Sequence, residues 1–158
     1  MLVLAVKSRL QRSIGHCSPQ FNGQILLIMD LLTQLRQDYD RFPADQTYSL
    51  YAEDVFFKDP MNQFRGVKKY QDMIGFIARF FKSPKLDLHN IQQTDRQIRT
   101  DWTLSWTTPL PWQPRISISG WSELKVDDAG LICEHIDYWN CDRWNVIQQH
   151  FQKKQEPR

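Results

Sequence analysis

The sequence is short of glycine, cysteine and unbroken hydrophobic stretches, and each shortage removes a class of protein. Six glycines in 158 residues, none clustered, leave no Gly-rich phosphate loop. Neither a Gly-x4-Gly-Lys-Ser motif nor a Gly-x-Ser-x-Gly motif occurs. A nucleotide site built from backbone N–H groups and an esterase-type nucleophile are therefore not expected. Three cysteines, Cys17, Cys133 and Cys141, are sparse and odd in number, so they imply no disulfide framework and fit a reducing cytosol. No apolar run approaches the ~20 residues of a membrane span. Ile25–Met29 is stopped by Asp30, and no small-residue cleavage site of a secretory signal follows. A strong charge of either sign is absent too. The net charge is +2, and residues 1–29 hold Lys7, Arg9 and Arg12 with no acid, so the rest of the chain is close to neutral. Without a basic face, nucleic acid is not an expected partner.

Aromatic residues, by contrast, are plentiful: 13% of the chain, including six tryptophans. The length suits one domain, large enough to bury a core unaided. An aromatic-rich interior or pocket is expected. Gly15, Ser18–Pro19 and Asn22–Gly23 interrupt the leading segment. Residues 1–28 are expected to lie outside the domain, either as a basic targeting peptide or as an extension ahead of a start at Met29. The polar residues 152–158 are expected to fray.

Within the body, Ile28, Leu31, Leu32, Leu35 and Tyr39 recur at helical spacing. Pro43 suits the start of a second helix running to Ala52. Val55–Lys58 reads as a short strand closed by Asp59–Pro60, and Met61–Gly66 as a loop. Val67, Tyr70, Ile74, Ile77 and Phe81 form one stripe of a third helix. After Pro84 the period changes to two. Trp102, Leu104 and Trp106 face one way, and Asp101, Thr103 and Ser105 the other. Strands Ile116–Val126 and Leu131–Trp139 follow, joined by a turn at Asp127–Gly130. Gly120 marks a candidate bulge, and Asp142 a candidate cap for a short final helix. The order is α+β, with helices on one face of a curved sheet.

The segment Leu50–Pro60, with Arg65–Gly66 opening a helix, resembles the nuclear-transport-factor-2-like (NTF2-like, or SnoaL-like) superfamily, which includes ketosteroid isomerases and polyketide cyclases. The stretch Asp38–Lys85, with Phe64-Arg-Gly and Pro84-Lys-Leu-Asp-Leu-His89, also resembles a family of unknown function from cyanobacteria and plant plastids. The resemblance implies a cone: about three N-terminal helices packed in a strongly curved, mostly antiparallel sheet, with a short C-terminal helix, as one domain over residues 29–151. It implies a cytoplasmic location, or the plastid stroma in a plant relative.

In ketosteroid isomerases the aspartate of an Asp-Pro pair after the first strand is the catalytic base, and Asp59–Pro60 matches it. Their two oxyanion donors fall on Leu35 and Ser122, which lack the required groups. Steroid isomerase activity is therefore not expected. The same matching implies that Trp102, Leu104, Trp106, Ile118, Ser122, Leu124, Cys133, His135, Asp137 and Trp139 share the concave face. Asp59 and His135 are the candidate catalytic residues, and Trp102, Leu104, Trp106, Ile118, Ser122, Leu124, Asp137 and Trp139 the candidate pocket. Cys133-x-His135-x-Asp137 puts three ligand types on one strand face, but without a second pair it assigns no metal; no cofactor is expected.

Three functions stay open. The first is an accessory module binding a small apolar or aromatic molecule. The second is an isomerase, cyclase or dehydratase with Asp59 or His135 as general base. The third is homodimeric assembly through the outer sheet face.

Overall fold

The computed structural model describes residues 20–151, with side chains described from Asp30 onward. Residues 1–19 and 152–158, on which parts of the leading-segment and tail expectations rest, lie outside the described residues. Helix α1 spans Gln20–Arg41 and so takes in residues 20–28. Strand β1 (Tyr51–Lys58), the short β2 (Gln63–Arg65) and helix α2 (Val67–Phe80) follow. Then come β3 (Lys82–Thr94), β4 (Gln97–Thr107), β5 (Arg115–Val126), β6 (Ile132–Trp139) and helix α3 (Arg143–Gln149).

The six strands form one mixed, open sheet ordered β2-β1-β6-β5-β4-β3. All neighbours are antiparallel except β1 and β6. Helix α1 packs on β3, α2 on β1 and β3, and α3 on β5. The expected α+β cone is the observed architecture. Its alternation is regular: β5 is buried at every second residue from Ile116 to Val126, as a strand with one covered face must be.

Three local expectations are corrected. The second helix is only a single 3-10 turn, Tyr48–Leu50. The buried Asp38 carboxylate takes the Thr47 N–H and hydroxyl and pairs with Arg41 at 2.5 Å, tying residues 42–47 into a compact loop. The expected loop Met61–Gly66 contains β2, paired with β1 from Phe56 to Lys58. Gly120 is no bulge: it sits in unbroken register between Trp102 and Trp139. A Cβ there would stand 2.1 Å from the Tyr138 carbonyl oxygen and 3.0 Å from the Trp102 ring. Only glycine lets these two surfaces close. Asp142 occupies the N-cap position of α3 without a side-chain cap bond.

The core has three parts. Leu31, Leu35, Ile91, Ile98, Leu124, Val126 and Ile132 form one cluster. Tyr39, Trp102, Trp106, Ile116, Ile118 and Val146 form a second, and Phe57, Tyr70 and Ile74 a third.

Candidate functional site

Between the second and third clusters lies a cavity of about 590 Å³, the size of a small-molecule site. Trp102, Ile118 and Trp139 wall it from the sheet, Tyr39 from α1, and Tyr70 and Ile74 from α2. At the mouth stand Met61, Phe76 and Ile147, all exposed.

Strand register builds its polar group. Thr100, Ser122 and Asp137 lie opposite one another across β4, β5 and β6. The Trp102 indole Nε1–H donates to Ser122 Oγ at 2.7 Å, and Ser122 Oγ to Asp137 Oδ1 at 2.5 Å. His135 Nε2 meets the same Oδ1 at 2.9 Å. The direction of each bond follows from the groups. An indole only donates, so the serine accepts from it and gives its own hydrogen to the carboxylate. A carboxylate has nothing to give, so Nε2 carries a hydrogen. Both donors converge on Oδ1, and Oδ2 takes neither. His135 is 6% exposed, with Tyr51 stacked on its ring at 6.1 Å, Phe57 at 5.3 Å and Tyr70 at 5.7 Å. Among the described residues, its Nδ1 is buried without a partner.

Three phenols complete the lining. Tyr39 shares a 2.8 Å hydrogen bond with the buried Thr100, and the Tyr51 and Tyr70 rings pack with centroids 5.0 Å apart. Burial, with the negative charge of Asp137 adding to it, holds all three phenols far above the ordinary tyrosine range. They remain protonated donors at neutral pH.

Of the residues singled out from sequence, Trp102, Leu104, Trp106, Ile118, Ser122, His135, Asp137 and Trp139 all line this cavity. Leu124 does not. It lies on the same strand face, but at 1% exposure it is sealed in the first cluster with Leu31 and Leu35. Cys133 is also off the cavity. A register shift between Lys125 and Val126 breaks the alternation before His135. Ile132 is buried in the first cluster instead, while Cys133 Sγ donates to the Lys125 carbonyl. Asp59 lies at the cavity edge. Its Oδ1 accepts the backbone N–H of Met61 at 2.6 Å and of Asn62 at 2.5 Å, and Asn62 Nδ2 reaches Oδ2 at 3.0 Å. These bonds fold the β1–β2 turn and occupy its lone pairs. Among the described residues, no three His, Cys, Asp or Glu side chains converge in a metal-binding group.

Sequence reasoning did not single out Tyr39, Tyr51, Tyr70 or Thr100. Tyr39 was legible in principle: it lies one helical turn after Leu35, on the same face.

Fold and cavity together define an NTF2-like α+β cone, the architecture of the SnoaL-like polyketide cyclases. A family model matches residues 29–135: the uncharacterized conserved protein family DUF2358, to which this chain belongs. No curated protein matches the chain. Among solved structures, one similar protein is a hypothetical protein of ketosteroid isomerase-like fold from Catenulispora acidiphila, in complex with trimethylamine. It is 10% identical, with a TM-score of 0.62 over 76% of this chain and 91% of that one. A putative SnoaL-like polyketide cyclase from Shewanella denitrificans is 12% identical, with a TM-score of 0.62 over 78% and 95%. An NTF2-like protein from Anabaena variabilis is 11% identical, with a TM-score of 0.59 over 81% and 97%. At these identities the likeness is one of fold.

Proposed function

We propose that this protein binds a small, largely apolar molecule in the cavity, its polar end toward Asp137 and its body against Trp102, Trp106 and Trp139. The observation that carries this is a cavity of about 590 Å³ whose aromatic wall surrounds an oriented polar group, Trp102–Ser122–Asp137–His135. Apolar walls supply affinity and a few convergent polar atoms supply orientation. The trimethylamine complex of the Catenulispora protein supports small-molecule binding within this fold.

The test is native mass spectrometry of protein purified without added ligand, followed by denaturation and analysis of what is released. A stoichiometric organic molecule is expected. An empty protein that also takes up no apolar probe contradicts the proposal.

A catalytic reading is favoured by one observation, the His135–Asp137 pair. In a neutral imidazole whose Nε2–H is given to Asp137, Nδ1 holds the lone pair of a general base. Asp59, engaged by its own turn, supports that reading less. If the released molecule is consumed by wild-type protein and not by His135→Gln, turnover replaces carriage. The homodimer belongs to the proposal at the outer sheet face, where Trp121 stacks on Tyr138 at 5.0 Å beneath the Arg99 guanidinium.

A further inference from the structure

Charge within the cavity narrows the ligand. Three carboxylates line it: Asp38, Asp59 and Asp137. Two are accounted for locally. Asp38 pairs with Arg41 and accepts from Thr47, and Asp59 serves its turn. Asp137 differs. Its side chain is 20% exposed, and among the described residues its one ion-pair partner is His135. Among the described residues no lysine or arginine pairs with it, and Arg143, which also lines the cavity, stands exposed at the mouth. Both donors that serve Asp137 converge on Oδ1, which leaves Oδ2 to meet a ligand. A partly buried carboxylate without a strong cation is costly unless something positive or hydrogen-donating joins it. The surrounding wall is rich in indole and phenol rings, whose faces attract cations.

Resting on the cavity reading above, we infer that the ligand carries a cationic amine or ammonium group that seats against Asp137 Oδ2, with an apolar or aromatic body filling the rest. The site is a carboxylate within an aromatic enclosure, the chemistry that recognises organic amines. The negative potential of Asp137 already reaches the Tyr39, Tyr51 and Tyr70 hydroxyls. The same field favours a cation over an anion of equal shape.

The test is isothermal titration of the full chain with three probes of one shape: tryptamine (cationic), tryptophol (neutral) and indole-3-acetate (anionic). Tryptamine is expected to bind about tenfold more tightly than tryptophol, since an ammonium adds an ion pair to the hydrogen bond that a neutral hydroxyl gives the same carboxylate, and indole-3-acetate least tightly. Asp137→Asn is expected to remove the amine preference, bringing the ratio of tryptamine to tryptophol affinity down to about one. The wild-type series stands alone should that variant misfold. Equal binding of tryptamine and tryptophol overturns the amine assignment and leaves the cavity reading standing. Tightest binding of indole-3-acetate, held at Arg143, does the same. Binding of none of the three overturns both.

Discussion

Replacing Ser122 with alanine removes one oxygen and breaks the polar group at its centre. Ser122 is 1% exposed and Trp102 5% exposed, so solvent does not take over the lost bonds. The indole Nε1–H, now 2.7 Å from a missing acceptor, is left buried and unmade, which costs about 1–3 kcal/mol. Asp137 loses the shorter of its two donors, at 2.5 Å. A bond to a charged group is worth about 1.5–3 kcal/mol, but the carboxylate is partly exposed and recovers some of that from water. Ser122→Ala should therefore cost about 2–4 kcal/mol, taking the two losses as partly overlapping. With a urea dependence of about 2 kcal/mol/M, the unfolding midpoint falls by about 1–2 M. The loss should depend on the indole N–H. In a Trp102→Phe background, Ser122→Ala should cost about 1 kcal/mol less, because the orphaned donor is gone. A midpoint shift below about 0.3 M, or a strictly additive double-mutant cycle, would refute the directed chain of bonds.

Other outcomes follow from the same geometry. Gly120→Ala drives a methyl group into the Tyr138 carbonyl and the Trp102 ring. It should cost about 3 kcal/mol or more by urea unfolding, the upper end of overpacking penalties; an unchanged midpoint would contradict the close approach. Asp59→Ala should lose about 0.5–1.5 kcal/mol through the β1–β2 turn while leaving tryptophol affinity in the cavity unchanged; a collapse of affinity with stability intact would return Asp59 to the binding machinery. Alkaline titration tests the buried phenols. Their folded-state pKa values lie above the unfolded value near 10, so the folded state holds more protons than the unfolded state at high pH. Stability is then full below pH 10 and falls above it, by up to about 1.4 kcal/mol per pH unit for each phenol. Absorbance at 295 nm should show Tyr39, Tyr51 and Tyr70 ionising only as the protein unfolds; reversible titration of these phenols near pH 10 in folded protein would contradict their burial.

Period-two alternation made much of the site legible. Trp102, Leu104 and Trp106 on β4, and Ile118 and Ser122 on β5, needed only strand geometry to share a face, and His135 and Asp137 the same on β6. Alternation places a side chain on a face but not along the depth of a cone. For that reason Leu124 reads like its neighbours yet is sealed where α1 covers the sheet. Cys133 was misplaced because the register shift at Lys125–Val126 depends on how β5 and β6 are paired, which neither strand reveals alone. The helix expected over residues 44–52 fails because the Asp38 carboxylate, nine residues before Thr47 in sequence, captures that backbone. Tyr39 and Tyr70 read as ordinary apolar-stripe residues and Tyr51 as part of the expected second helix, since burial of a phenol beside Asp137 is a property of tertiary packing. The Asp59–Pro60 pair matched a catalytic pattern while its side chain serves a turn, a distinction that rests on bonds to Met61 and Asn62.

The proposed ligand site is the space beside Asp137. The most direct measurement follows the six indole N–H resonances of ¹⁵N-labelled protein during titration with unlabelled tryptamine. Trp102, Trp106 and Trp139 line the cavity, while Trp121 stacks against Tyr138 on the outer sheet face. Saturable shifts at Trp102, Trp106 and Trp139 with Trp121 unmoved are the predicted result. Shifts at Trp121 with the three cavity indoles unmoved would contradict it.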